Sequence, residues 1–93
     1  MSITAAPKSP EALKQYVRDV SDLSTVEACD SAITLLTNNF MYGMARVLYA
    51  YVYRYKHGTF AEFCDHYGKS KRSGQRYEQV LRDLHIIEAA PAR

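Results

Sequence analysis

The chain has 93 residues, the size of one small domain, so a single hydrophobic core is expected across residues 1–93. Apolar residues make up 47% and charged residues 24%, with 3 Phe and 8 Tyr available for burial, which argues against intrinsic disorder. Gly (4) and Pro (3) are too sparse for the many turns of a β-sandwich or barrel, and a net charge of +2 selects no partner by itself.

Charge is distributed unevenly. Residues 1–40 carry 3 basic and 5 acidic side chains, whereas residues 41–93 carry 9 and 5. The back half is therefore suited to face an anion, although a solvated surface with a chance imbalance gives the same numbers. Cys29 and Cys64 form no CxxC pair and read as reduced, buried thiols. The start MSITAAPKSP lacks the basic and apolar regions of a signal peptide, and Phe40–Tyr53, interrupted by Arg46, is short for a membrane span. A cytoplasmic location is expected.

Residues 1–8 read as a flexible tail and 9–39 as N-terminal helices. Ser9-Pro10-Glu11 is a helix start, with Ser as cap, Pro in the first helical position and an acid in the first turn. Leu13, Tyr16, Val17 and Val20 follow at helical spacing. Ser24-Thr25-Val26-Glu27 has the pattern of a capping box, predicting a second helix to about Thr37 with Ala28, Ala32, Leu35 and Leu36 as core candidates. Asn38-Asn39 is the expected break. Residues 40–57 then read as one central helix. Phe40, Met44, Val47, Leu48, Tyr51 and Tyr55 lie on one face, and Tyr42, Tyr49, Val52 and Tyr53 extend it most of the way round. Gly43, Ala50, Arg46 and Arg54 are left for the remaining side, and Gly58 for the C-terminal cap. A helix this apolar belongs in the middle of a bundle or in a subunit interface.

Thr59-Phe60-Ala61-Glu62 is a second capping box, opening a short helix that runs to about Tyr67 and is ended by Gly68. A last helix starts near Ser70 or Ser73 and runs to about Leu84, burying Tyr77, Leu81 and Leu84, with Ile86 and Ile87 as an extended or capping segment. The pattern predicts an all-α chain, a small bundle of about five helices.

The segment 59–88 carries the clearest functional pattern, a helix, a glycine turn and a basic helix. Gly68 suits the positive φ of a tight turn between helices. Lys71, Arg72, Gln75, Arg76 and Gln79 fall away from the apolar face. Arg and Lys pair with phosphate or guanine, Gln with adenine, and Ser70 and Ser73 with phosphate. These residues resemble the helix-turn-helix of bacterial transcription regulators, particularly DeoR-type winged helices with a Gly-x-Ser-Lys-Arg-Thr-x-x-Arg start to the recognition helix. Gly68, Ser70, Lys71, Arg72 and Arg76 match, Ser73 stands for Thr, and Leu81, Ile86 and Ile87 match core positions downstream. Lys69, Gly74 and Glu78 replace apolar residues of the motif, His85 replaces a frequent glycine, and Ala89–Arg93 is too short for a wing.

The resemblance implies a supporting helix at Tyr42–His57 and a recognition helix at Ser70–Leu84. Its partner would be double-stranded DNA, met by Lys69, Ser70, Lys71, Arg72, Ser73, Gln75, Arg76 and Gln79, in a homodimer presenting two such helices. The alternative is a protein-binding adaptor or inhibitor, of phage or plasmid type, that turns the same basic helix toward a host or defence protein complex.

Enzymatic chemistry is not expected. Cys64 and His66 stand two apart on a helix and do not face each other, which argues against a nucleophile and its base. Cys64-Asp65-His66 does not have the spacing of a metal site, and neither metal nor cofactor is expected. Tyr42, Tyr49, Tyr51, Tyr53 and Tyr55, alongside Arg46, Arg54 and Lys56, have the composition of a base-stacking surface, but tyrosines at helical spacing more often serve a core or an interface. The basic helix has too small an apolar face for a membrane surface.

Overall fold

The computed structural model describes residues 9–36 and 40–88, and among these there are five α-helices and no strand. The expected tail at 1–8 and the break at Asn38-Asn39 lie outside the described residues. Helix α1 (Pro10–Arg18) starts as the sequence predicts: the extended Ser9 accepts the Ala12 N–H on its hydroxyl at 3.1 Å, and proline sits where no N–H is needed. Val17 is buried, and Val20 and Leu23 follow it inward around a single 3₁₀ turn (Ser21–Leu23).

Helix α2 (Val26–Thr34) is capped by Thr25, whose hydroxyl accepts the Ala28 N–H at 3.1 Å, and not by Ser24. A cap needs extended backbone, which Thr25 has (φ −122°, ψ 158°), whereas Ser24 is still helical at the end of the 3₁₀ turn (φ −74°, ψ −8°). The helix stops at Thr34, short of Thr37. Its inner face runs through Val26, Cys29, Ile33 and Leu36, and Leu35, expected in the core, is 77% exposed. Leu35 is the C-cap of α2, where the backbone leaves the helix (φ −95°, ψ 1°), and it is Leu36 that packs against the core.

Helix α3 (Phe40–Leu48) is the middle of the bundle, with α1, α2 and α5 packed around it. Gly43 and Ala50, expected on the outer side, are buried with Met44, Ala45, Val47 and Leu48. The reason is proximity: Gly43 faces the Leu36 side chain just beyond α2, and a Cβ there would have to displace the leucine methyls. Arg46 is bound rather than free. Its Nε donates to the Tyr16 carbonyl at 3.0 Å, and its Nη2 to the Asp19 carbonyl at 2.7 Å and to Asp22 Oδ1 at 2.6 Å.

The helix predicted through His57 changes its winding at Tyr49. Residues Tyr49–Arg54 are π-helical, and the Tyr55 N–H reaches back to the Ala50 carbonyl at 2.9 Å. The chain reverses at Lys56 (φ 53°) and not at Gly58. Gly58 is needed for space, because a Cβ there would stand 2.8 Å from Tyr51 Cε1. Tyr51 lies in the core, where its ring meets the edges of Phe63 (5.6 Å) and Tyr67 (5.7 Å) and stacks on His66 (6.0 Å). Tyr51 is thus core, while Tyr49 and Tyr53 stack on each other at 6.5 Å and are half-buried. Helices α4 (Phe60–His66) and α5 (Lys71–Asp83) close the bundle, with Phe63 and Leu81 fully buried and Tyr77 nearly so. No helix among the described residues is long and apolar enough to cross a membrane.

Candidate nucleic-acid interface

The unit α4–turn–α5 is built from local signals. Thr59 and Glu62 form the reciprocal box: the Thr59 hydroxyl accepts the Glu62 N–H at 3.1 Å, and Glu62 Oε1 accepts the Thr59 N–H at 2.8 Å. Gly68 takes the left-handed conformation (φ 62°), which lets the Lys69 N–H return to the Cys64 carbonyl at 2.8 Å and satisfy the end of α4. Ser70 then caps α5, accepting the Ser73 N–H at 3.1 Å.

The departures from the helix-turn-helix pattern each have a structural counterpart. Gly74 is buried against α4, where a Cβ would meet Cys64 Sγ at 2.6 Å and Phe60 Cζ at 2.8 Å. The two helices are locked by close approach instead of by an apolar side chain. Glu78 faces inward, accepting the Tyr53 hydroxyl at 2.7 Å and pairing with Arg82 at 3.2 Å. Lys69 is half-buried with Nζ 4.9 Å above the Phe40 ring, itself edge-on to Tyr77. His85 occupies the left-handed position (φ 59°) at the end of α5, and the Ile86 N–H returns to the Leu81 carbonyl at 2.9 Å. Ile86 and Ile87 form a cap packed on the core.

The eight residues singled out in the sequence therefore divide. Lys71, Arg72, Gln75 and Arg76 are exposed on one side of α5, opposite buried Tyr77 and Leu81. Gln79 shares that side, but its Nε2 donates to Asp83 Oδ1 at 2.8 Å. Ser70 and Ser73 are used locally: the Ser70 hydroxyl caps the helix and donates to Ser73 Oγ at 3.2 Å. Lys69 is held by Phe40 at the edge of the group. Arg82, a basic residue of the same helix, is turned toward Glu78 and does not join the exposed row.

Cys64 is buried while Asp65 and His66 are exposed, so these three neighbours do not converge. Among the described residues there is no group of three or more His, Cys, Asp or Glu side chains placed to hold a metal ion. His66 Nε2 and the Tyr67 hydroxyl both meet Asp30 Oδ1, at 3.1 and 2.8 Å, tying α4 to α2. Sequence reasoning did not single out Asp30 and left Arg46 on the outer side of the central helix, because their partners are distant in the chain and no local spacing marks them.

Several protons are held by this packing. Burial, with Asp30 adding to it, pushes the Cys29 thiol from 9.0 up to about 11. Burial, then the hydrogen bond to Glu78, pushes the Tyr53 phenol from 10.0 up to about 12. Burial also raises Tyr51, Cys64 and Tyr77, and it raises Tyr67 together with the bond to Asp30. The folded state binds these protons more tightly than the unfolded chain, so their contribution is intact while both states are protonated and is lost as pH climbs through the folded values. The urea midpoint should stay level from neutral pH to about 9 and then fall steadily toward about 12. In Tyr53→Phe the fall between about 10 and 12 should be shallower, since phenylalanine has no proton to lose. A midpoint unchanged up to pH 12 would contradict this burial.

The chain matches no protein-family model, no curated protein and no solved structure.

Proposed function

We propose that this chain binds double-stranded DNA as a small transcriptional regulator, laying the exposed face of α5 in the major groove, and that it does so as a homodimer. The observation that carries the reading is the row Lys71, Arg72, Gln75 and Arg76. These are four long donors exposed on one side of a helix whose opposite side is anchored by Tyr77 and Leu81. Among the described residues, none of the four side chains forms an ion pair, and Asp83 lies at the far end of the helix. Arg72 and Arg76 suit guanine edges, Gln75 suits adenine, and Lys71 suits phosphate. Gln79 has a smaller part, because Asp83 already holds its amide. Exposed Leu35 (77%) and Phe40 (45%) support a protein contact, which this reading assigns to the second copy.

The test is fluorescence anisotropy of a labelled mixed-sequence duplex at several salt concentrations. Affinity should fall with salt with a log–log slope of about −0.9 per phosphate neutralised, and two chains should bind per duplex. Against a selected site, Arg72→Ala and Arg76→Ala should each cost about 1–3 kcal/mol, and Gln79→Ala clearly less. Absence of binding at low salt, together with capture of a stable protein partner, would replace this reading with the adaptor.

A further inference from the structure

Resting on the DNA-binding reading above, we propose that Lys56 is a second point of attachment, seating a phosphate of the DNA backbone beside α5. Two independent features converge on this residue. One is the backbone. Lys56 is exposed and held at φ 53°, a conformation that favours glycine. An outlier of this kind is a place to look for function. The other is the surface around it. Lys56 stands on the rim of an open hollow of about 640 Å³ whose apolar lining includes Val52 and Phe60.

Phe60 links that hollow to α5, since its ring packs against Gly74, the buried residue of the first turns of the basic helix. The hollow therefore adjoins the N-terminal half of α5 on the side of Gly74, with the Phe60 ring between them. Its chemistry suits a sugar–phosphate unit: the C–H face of a deoxyribose packs on Val52 and Phe60 while the ammonium of Lys56 meets the phosphate oxygens. Glu62 also borders the hollow and opposes an anion, but its Oε1 is turned to the Thr59 N–H at 2.8 Å. The neighbouring Arg54 lies over the Tyr55 ring at 4.6 Å, leaving Lys56 as the cation that lines the space. A contact to the backbone adds affinity and register without reading sequence.

The experiment compares the full chain with Lys56→Gly and Lys56→Arg, using the labelled mixed-sequence duplex over a range of salt and thermal melts followed by circular dichroism. Glycine relieves the left-handed backbone, so Lys56→Gly should melt at or above the parent temperature. It should nevertheless bind roughly five- to ten-fold more weakly at about 0.1 M salt, with a salt slope shallower by about 0.9. Lys56→Arg should keep the parent slope. A Lys56→Gly variant with the parent affinity and slope overturns the assignment while leaving the α5 reading intact. A parent chain with no salt-dependent binding overturns the DNA reading and this contact with it.

Discussion

Replacing Gly74 with valine is expected to destabilise the fold by about 2–4 kcal/mol, at or above the usual range for overpacking. For a chain of this length that corresponds to a fall of roughly 10–25 °C in melting temperature. The first added carbon alone would stand 2.6 Å from Cys64 Sγ and 2.8 Å from Phe60 Cζ. The thiol is buried and the Phe60 ring stands beside it, so making room for valine pushes α4 and α5 apart. Glycine inside a helix costs about 1 kcal/mol relative to alanine, which offsets only part of the clash. Separation would tilt α5 relative to the rest of the bundle, so under the proposed DNA-binding function affinity for the duplex should fall with stability. A double-mutant cycle isolates the cause. Cys64→Ala removes the nearest atom, and in that background Gly74→Ala should be tolerated better than in the parent, with a coupling of about 0.5–2 kcal/mol. Strict additivity would show that the thiol is not the obstacle.

Arg46→Ala should cost about 2–3 kcal/mol, because bonds from a charged donor are worth about 1.5–3 kcal/mol and here two end on backbone carbonyls. Arg46 reaches the carbonyls of Tyr16 and Asp19 at 3.0 and 2.7 Å and lies 5.5 Å from the Tyr16 ring centre, so it fastens the end of α1 to the central helix. The carboxylate of Asp22 contributes less. Its side chain is 63% exposed, and exposed ion pairs are worth about 0–1 kcal/mol. Asp22→Ala should therefore lose under about 1 kcal/mol, and Arg46→Lys should recover only part of the alanine loss because an ammonium lacks the planar fork. Urea denaturation gives the ranking, and hydrogen exchange should show lost protection concentrated in α1. An Asp22→Ala variant as unstable as Arg46→Ala would place the energy in the ion pair instead.

Much of the fold is legible because it is written in local chemistry. Ser9-Pro10, the Thr59–Glu62 box, Gly68 and Ser70 each satisfy backbone groups within a few residues, so composition and spacing find them. The exposed row on α5 is legible in the same way, since helical periodicity separates Lys71, Arg72, Gln75 and Arg76 from Tyr77 and Leu81. The start of α2 was misplaced by one residue because Ser24 and Thr25 have equivalent side chains, and only the preceding 3₁₀ turn chooses between them.

What the sequence by itself determined is the all-α class, the order of the helices, most of their caps and the polar side of the basic helix. All of these rest on interactions between residues a turn apart. What only the tertiary structure decided is the π-helical end of the central helix, the left-handed backbone at Lys56, the contact through Gly74 and the capture of Arg46 by α1. The last two depend on how closely two separate helices approach. That distance is set by packing of the whole core, which no local spacing encodes.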